Sequence, residues 1–365
     1  MQKLKKRVIV GMSGGIDSAM TLYLLQKEGY DVMGVSLRFG VWNSEKNLIK
    51  ENVCCSSGAF LIAKNICNLF GVPYEIVDVK ADFKNKVVKY FTSNLKKNKT
   101  PNPCVMCNRL VKIRSLIDLR KKYKADFVAT GHYAKVVFNK SKKIFELKTS
   151  KDKNKDQTYF LSQLTQNQIK YLKLPLGKYL KEDVYKMANK LGIKFFNKTK
   201  QSQDFCFVAN KSYNDFLVET LNQKRGLIVD EEDKKLGEHQ GLHFYTIGQR
   251  KGINLSGGPF YVLDKDQKHN KLVVTKNKNL IFKKEFFIKA INLISNVKNA
   301  KLNNKEILVQ IRYGDKKEKA KIKMINKDKF KIILNKPKMA ITPGQFAVMY
   351  DKNTCLGSGV IETNK

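Results

Sequence analysis

Residues 7–18 read RVIVGMSGGIDS, and this stretch decides how the N-terminal part of the chain folds. The β-branched run at 7–10 predicts a buried strand, and the pattern at about 18–27 predicts the helix that follows it. The glycines between them allow a tight turn that brings backbone N–H groups close to a ligand. Because the start of the next helix adds exposed donors and a positive dipole end, the turn is typical of an anion site.

The same alternation of strand and helix continues beyond this turn. Further strands are predicted at 31–37, 74–79 and 126–130, and helices at 58–70 and 108–123. Repeated βα units indicate a parallel sheet with helices on both faces, and such sheets bind ligands at the carboxyl ends of their strands. The loops after Val10 and Thr130 therefore belong to the predicted site.

The pattern changes after about residue 210. Residues 226–258 are rich in glycine and charge, and short alternating runs dominate from about residue 280. The spacing of these runs predicts an antiparallel barrel or sandwich. We therefore predict an α/β protein in three parts: a parallel-sheet domain at 1–210, a small central linker domain at 211–279 and a C-terminal antiparallel β-barrel at 280–365.

Composition limits the classes of function that are possible but does not decide between them. The 365 residues carry a formal net charge of +39, which favours a polyanionic partner such as nucleic acid. A lysine excess scattered over the whole chain is also typical of compositional bias, so both interpretations stay open. The N-terminal apolar run is too short for a signal peptide, and no stretch approaches the roughly 18 apolar residues of a membrane span. We expect a cytoplasmic protein without a membrane partner.

The polar residues of the first turn indicate phosphate chemistry. Ser13 and Ser18 can add hydroxyl donors, and Asp17 fits beside phosphates if it bridges to them through Mg²⁺. No lysine follows the glycines, so the turn is not the GxxxxGK[ST] nucleoside-triphosphate loop. Its glycine spacing does not match GxGxxG either.

Cysteines form a second candidate constellation. Residues 100–108 read TPNPCVMCN, in which prolines stiffen a loop that delivers Cys104 and Cys107 to the start of a helix, a setting that favours a thiolate. A Cys-x-x-Cys pair also has a metal interpretation, but a zinc site needs four ligands and the sequence has no second pair. Far downstream, Cys206 stands between aromatic residues in SQDFCF, where a lone cysteine is more often part of the core.

The pattern SGGxDS resembles the pyrophosphate-loop ATPases, which cleave ATP between the α and β phosphates and transfer AMP to a carbonyl oxygen. With TPNPC-x-x-CN, ATGHYA, KDQTYFL, SQDFCF, YTIGQRKG and TPGQFAV in that order, nearly the whole chain resembles the bacterial tRNA-specific 2-thiouridylases. The resemblance implies an adenine-nucleotide-hydrolase-like first domain. It also implies formation of 2-thiouridine at the wobble uridine, position 34, with ATP and Mg²⁺, and a sulfur-donor or relay protein as a partner besides tRNA.

The resemblance also implies roles for individual residues. Cys107 would be the nucleophile and Cys206 the persulfide carrier, the two forming a transient disulfide, while Asp17 would serve catalysis at the phosphates. The residues that would bind ATP are Gly11, Met12, Ser13, Gly14, Gly15, Ile16, Asp17, Ser18, Leu37 and Gly131. The residues that would contact tRNA are Asn102, Pro103, Cys104, His132, Lys155, Asp156, Gln157, Arg312, Tyr313 and Gln345.

One departure leaves two mechanisms open. Cys104 stands where the family often has Asp, so the chain could use a persulfide–disulfide relay without a metal. Alternatively, Cys104, Cys107 and Cys206 could hold an iron–sulfur cluster. Two other functions remain as alternatives: another pyrophosphate-loop ligase, which needs no paired cysteines, and a non-catalytic RNA-binding protein, against which the intact Ser13, Asp17 and Ser18 argue.

Overall fold

The computed structural model describes residues 5–52, 55–193, 206–294 and 302–362. Residues 202–205 of the SQDFCF motif lie outside this part of the chain. Ten α-helices are present in it: α1 (Ile16–Lys27), α2 (Ser57–Leu69), α3 (Lys80–Phe83), α4 (Lys89–Lys96), α5 (Pro103–Cys107), α6 (Ile113–Lys122), α7 (Thr158–Leu161), α8 (Gln166–Ile169), α9 (Lys181–Lys190) and α10 (Tyr213–Leu221). Within the described part, every helix is too short or too polar to cross a membrane.

The first part of the chain is built on a parallel sheet, as predicted. Its strands are β1 (Arg7–Gly11), β2 (Asp31–Arg38), β3 (Tyr74–Asp78), β4 (Phe127–Ala129), a hairpin of β5 (Ala134–Asn139) and β6 (Ile144–Thr149), and β7 (Leu172–Lys173). Five of them form the sheet in the order β3-β2-β1-β4-β7, with every pair parallel. Val8, Ile9 and Val10 are fully buried because β1 lies at the centre, which explains the unbroken apolar run.

The helix predicted at 108–123 begins earlier in the structure. Asn102 caps α5 through its side chain, and Pro103 occupies the first helical position. A π turn, Asn108–Lys112, then joins α5 to α6, with Ile113 N–H bonded to Asn108 O. A second π turn, Lys84–Val88, lies between α3 and α4. π turns inside helices are frequent at functional sites, and the first of these two directly follows Cys107.

The central part is a small mixed sheet. Its strands, β8 (Gly226–Val229), β9 (Lys235–His239), β10 (Tyr261–Asp266) and β11 (Lys271–Thr275), are ordered β10-β11-β8-β9. The sheet packs on its own apolar cluster, which includes Val262, Leu272 and Val274.

The C-terminal part is a closed antiparallel barrel of six strands. They are β12 (Phe282–Leu293), β13 (Glu306–Gln310), β14 (Glu318–Asn326), β15 (Lys329–Met339), β16 (Phe346–Asp351) and β17 (Thr354–Glu362). The order is β12-β15-β14-β13-β16-β17, and pairing of β12 with β17 closes the barrel. A closed barrel leaves no free sheet edge of its own.

The barrel and the first part are joined by a strand pairing and by a common hydrophobic core. The hairpin β5–β6 joins the barrel by pairing β6 with β17, at Lys148 opposite Thr354. A single hydrophobic core runs from the α/β part into the barrel and contains Tyr159, Phe346 and Tyr350. Deleting the chain from residue 280 onward would therefore expose a core that belongs to both parts.

Candidate active site

Glycine shapes the turn between β1 and α1. Gly14 has a φ of +72°, and a Cβ there would lie 2.5 Å from Ala59 O, so the turn requires glycine. Ser18 Oγ donates to Gly15 O at 2.8 Å and accepts from Ser13 N at 3.2 Å. No side chain caps the first turn of α1 at Gly15, which leaves a helix N-terminus suited to binding an anion.

A cavity of about 320 Å³ opens where β1, β2 and β4 end. Its wall contains nine residues that the sequence assigned to ATP or tRNA: Gly11, Met12, Ser13, Asp17, Ser18, Leu37, Gly131, His132 and Gln157. Gly14, Gly15 and Ile16 belong to the same turn but are not part of the wall, and Ile16 is buried. A partly apolar cavity at the strand ends is where an open α/β sheet binds its ligand.

Asp17 is held by two residues that sequence reasoning missed. Asp17 Oδ1 lies 2.6 Å from Lys181 Nζ and accepts a 2.8 Å hydrogen bond from Tyr133 Oη. Lys181 is mostly buried and begins α9, where its N–H donates to Asp152. Burial, and then the charge of Asp17, raise the pKa of Tyr133, so the phenol remains a donor. The residues around Lys181 in the sequence do not distinguish it from the many other lysines of the chain.

The loop after β4 closes over the start of α1. A Cβ at Gly131 would lie 2.8 Å from Asp17 C, so only glycine permits this approach. Thr130 Oγ1 and His132 Nδ1 are 2.8 Å apart. Burial, together with the nearby charge of Lys112, lowers the pKa of His132 to about 3, so its imidazole is neutral. Gln157 Oε1 accepts from Tyr133 N at 2.9 Å, which fixes the side chain at the cavity wall.

The cysteine loop enters α5 in a conformation that its own residues determine. Asn102 Oδ1 accepts from Cys104 N at 3.1 Å and from Val105 N at 3.4 Å. Pro103 is buried, Cys104 is exposed and Cys107 is partly buried against the core that the first part shares with the barrel. Cys104 therefore presents its side chain to solvent, whereas the side chain of Asn102 serves as a helix cap.

A buried amide holds the segment that carries Cys206. Asn47 is 1% exposed, and its Nδ2 donates to Phe207 O at 3.2 Å and to Trp42 O at 2.9 Å. Its Oδ1 accepts from Ala209 N at 3.3 Å, and Trp42 N also donates to Phe207 O at 2.9 Å. Cys206 itself packs on the same core as Cys107. Asn47 lies in a polar loop after β2 and carries no sequence signal for this function.

The barrel contacts the cysteine loop directly. Gln345 Nε2 donates to Thr100 O at 2.8 Å, and Thr100 N donates to Pro343 O at 2.9 Å. A Cβ at Gly344 would lie 2.9 Å from Thr100 N, so the two loops are in close contact. Thr100 Oγ1 also lies 3.3 Å from Thr246 Oγ1 of the central part. Gln345, predicted to contact tRNA, also supports the cysteine loop through this hydrogen bond.

The other predicted RNA contacts lie where the hairpin, α7 and the barrel meet. Asp156 is mostly buried and accepts from Ser150 N at 3.0 Å and from Thr158 Oγ1 at 2.7 Å. Lys155 next to it is partly exposed. Tyr313 is 42% exposed, with its ring 4.4 Å from that of Phe160. Arg312, also solvent-accessible, donates to Met339 O at 3.4 Å.

Two other thiols, those of Cys67 and Cys355, lie where they cannot react. Burial raises the pKa of Cys67 and of Cys355 to about 12, so both stay protonated in the core. Across the described ranges, no group of three or more His, Cys, Asp or Glu side chains is placed to hold a metal ion.

Comparison with known proteins covers almost the whole chain. Three family models match: "tRNA methyl transferase HUP domain" at residues 6–210, "tRNA methyl transferase PRC-barrel domain" at 214–276 and "Aminomethyltransferase beta-barrel domain" at 283–361. The tRNA-specific 2-thiouridylase MnmA of Clostridioides difficile is 38% identical over 98% of this chain and 99% of its own length. That of Carboxydothermus hydrogenoformans is 39% identical over 98% of each chain.

Proposed function

The chain belongs to the family of tRNA-specific 2-thiouridylases, and we propose that it replaces the C2 oxygen of the wobble uridine, position 34, by sulfur. It is a tRNA sulfurtransferase that uses ATP. The observation that supports the assignment most directly is the single cavity shared by Gly11, Asp17, His132 and Gln157, because it brings the phosphate loop and the expected RNA contacts together.

The first step is adenylation of the C2 oxygen, which is otherwise a poor leaving group. The turn of residues 11–18 would hold the pyrophosphate end of ATP through backbone N–H groups and the hydroxyls of Ser13 and Ser18. Leu37 and Gly131 would line the adenosine. Asp17 would supply a carboxylate ligand to the Mg²⁺ that accompanies ATP, and carboxylate oxygens suit that ion.

Sulfur then replaces the activated oxygen. The terminal sulfur of a Cys206 persulfide forms a bond to C2, and AMP leaves with the electron pair of the C2–O bond. The Cys107 thiolate next attacks Cys206 Sγ. The bond between Cys206 Sγ and the sulfur attached to C2 breaks, which releases the 2-thiouridine. The two cysteines end as a disulfide, which two electrons from a thiol reductant clear before the next turnover.

Substrate tRNA would contact all parts of this site. Asn102, Pro103 and Cys104 would lie at the flipped-out uridine, with His132 beside it. The stretch Lys155, Asp156 and Gln157, and the barrel residues Arg312, Tyr313 and Gln345, would contact the rest of the RNA. Besides tRNA, the reaction needs a protein that delivers sulfur to Cys206, and we place the enzyme in the cytoplasm with its substrate.

The decisive experiment is nucleoside analysis of tRNA incubated with the protein, ATP and a sulfur source. Formation of 2-thiouridine together with AMP supports the proposal, and AMP release without 2-thiouridine would point to another pyrophosphate-loop ligase. Loss of the product in both Cys107→Ser and Cys206→Ser, with persulfide retained on Cys206 in the first, supports the assigned roles.

Cys104→Ser separates the two sulfur mechanisms. In the relay, serine preserves size and hydrogen bonding, so we expect most of the activity to remain. In the cluster mechanism, the same change removes a ligand and therefore iron and activity together. Anaerobic purification followed by iron counting makes the distinction. An active, iron-free variant contradicts the cluster, and an iron-loaded parent with an inactive, iron-free variant contradicts the relay.

A further inference from the structure

The cavity has one positively charged residue in its wall. Among the fourteen residues that line it in the described part of the chain, only Asp17 and Lys112 carry a formal charge. Asp17 is paired with Lys181, which does not itself line the cavity. A nucleoside triphosphate with several negative charges would enter beside a carboxylate, so a cation in the wall matters for its binding and its reaction.

The position of Lys112 follows from the helix that carries it. Residues five apart in an α-helix point about 140° away from each other. The turn Asn108–Lys112 is a π turn, whose i→i+5 bonding widens the helix and makes this angle smaller. Lys112 is the last residue of this π turn, and Cys107 directly precedes the turn.

The next turn of the helix shows how close Lys112 is to the phosphate loop. Leu116 lies four residues after Lys112, so the two share one face of the helix. A Cβ added at Gly11 would lie 3.1 Å from Leu116 Cδ1, and Gly11 is where the phosphate loop begins. Lys112 and Leu116 both line the cavity, as does His132, whose protonation the charge of Lys112 disfavours. Lys112 therefore lines the cavity beside Leu116, with its charge close enough to act on His132.

We propose that Lys112 is a catalytic residue of adenylation, in which its ammonium group contacts the α-phosphate of ATP. This inference rests on the proposed function. In the step, the uracil C2 oxygen forms a bond to the α-phosphorus, and the bond to the oxygen bridging to the β-phosphate breaks. Pyrophosphate leaves with the electron pair, and the proton on uracil N3 passes to solvent. Lys112 stabilises the charge that builds on the phosphoryl oxygens.

This assignment also explains how the site obtains a phosphate-binding lysine although the phosphate loop contains none. A GxxxxGK[ST] loop carries its phosphate-binding lysine within the loop, whereas residues 11–18 contain none. The structure supplies a lysine at the same cavity from a helix that is remote in sequence. Lys112 also belongs to the same helical run as Cys107, so one rigid element carries groups for both chemical steps.

The test compares Lys112→Met, which removes the charge, with Lys112→Arg and with Lys121→Met. Lys121 is an exposed lysine on α6 and serves as the matched control. AMP release from α-labelled ATP is measured with tRNA present, along with tRNA affinity. We expect Lys112→Met to lower kcat for AMP release about 10²- to 10³-fold with a smaller change in KM for ATP. We also expect tRNA affinity within about twofold of the parent, partial activity in Lys112→Arg, and parental rates in Lys121→Met.

Two results would overturn the inference while the proposed function stands. One is a Lys112→Met enzyme that releases AMP at a rate within about threefold of an active parent. The other is a loss of tRNA affinity in parallel with activity, which would make Lys112 an RNA contact. A parent that releases no AMP overturns the proposed function and this inference together. If Lys112→Met does not fold, Lys112→Gln is measured in its place against the same thresholds.

Discussion

The two halves of the active site are built in different ways. The cavity proposed to bind ATP is organised around one contiguous turn, residues 11–18, whose serines bond to each other and to the turn itself. The cysteine region is assembled from remote segments: the helix that carries Cys107, the segment after Cys206, the loop that contains Asn47, and the barrel loop with Gln345. The serine contacts that shape the turn are local, although Asp17 also contacts Tyr133 and Lys181, and the contacts that hold the cysteine region are mostly long-range.

This difference predicts how each half responds to mutation. When a residue of the contiguous turn is substituted, we expect the reaction at that turn to be lost, with little effect on the cysteine region. An assembled region loses its geometry when a distant support is removed, because reacting atoms that move by about 1 Å can slow a step about 10²-fold. Separate measurement of AMP release and sulfur transfer therefore distinguishes the two halves.

The largest effect is expected at Asp17. Asp17→Asn keeps the size of the side chain but removes its charge, and we expect AMP release to fall about 10³-fold or more. Affinity for tRNA should change little, because the substitution lies at the phosphates. The measurements are AMP release and tRNA binding by the same preparation. A normal rate of AMP release would show that the phosphate loop is wrongly assigned.

Removal of the buried amide at Asn47 should affect only the second half. Asn47→Ala deletes the hydrogen bonds to Phe207 and Ala209, and we expect sulfur transfer to slow about 10- to 10²-fold. AMP release should stay near the parental rate, and the free energy of unfolding should fall by about 1–3 kcal/mol. Asn65→Ala, at an exposed asparagine on α2, is the control. Equal losses in the two steps would contradict the separation of the halves.

A smaller effect is expected at the contact between the barrel and the cysteine loop. Gln345→Ala removes one hydrogen bond to Thr100 O, which is worth about 1 kcal/mol. We expect 2-thiouridine formation to slow several-fold, while the salt dependence of tRNA binding keeps its slope because no charge is lost. Binding titrations at several salt concentrations provide the measurement. A drop in affinity with no change in stability would instead favour direct contact of Gln345 with RNA.

The smallest effect is a pH dependence that arises at His132. The folded protein holds the pKa of His132 at about 3, below the ordinary value of 6.5. As pH falls below 6.5, the unfolded chain binds a proton that the folded chain does not, so stability is lost toward acid. We expect His132→Gln to reduce the loss between pH 7 and pH 5.5 by about 1 kcal/mol. Unfolding curves at both pH values test this, and an unchanged loss would mean that His132 titrates normally.

Much of the fold could be predicted from the sequence because it depends on local patterns. The buried run of β1, the glycine turn and the start of α5 at Asn102 and Pro103 are each determined by neighbouring residues. The alternating runs at the C-terminus likewise predicted the strands of a barrel. Backbone sterics, glycine conformations and helix capping act over a few residues, so a short stretch of sequence contains the information.

Only the tertiary structure decided which distant residues complete the site. Lys181 and Lys112 are two lysines in a chain with 71 Lys and Arg residues, and packing alone places one against Asp17 and the other in the cavity wall. Asn47 and Gln345 likewise reach their partners through long-range contacts. The pairing of β6 with β17, which joins the barrel to the first part, is of the same kind. Such contacts depend on how whole helices and strands pack against each other. Lysine, asparagine and glutamine are common in this sequence, so no local pattern identifies which of them will contact a distant partner.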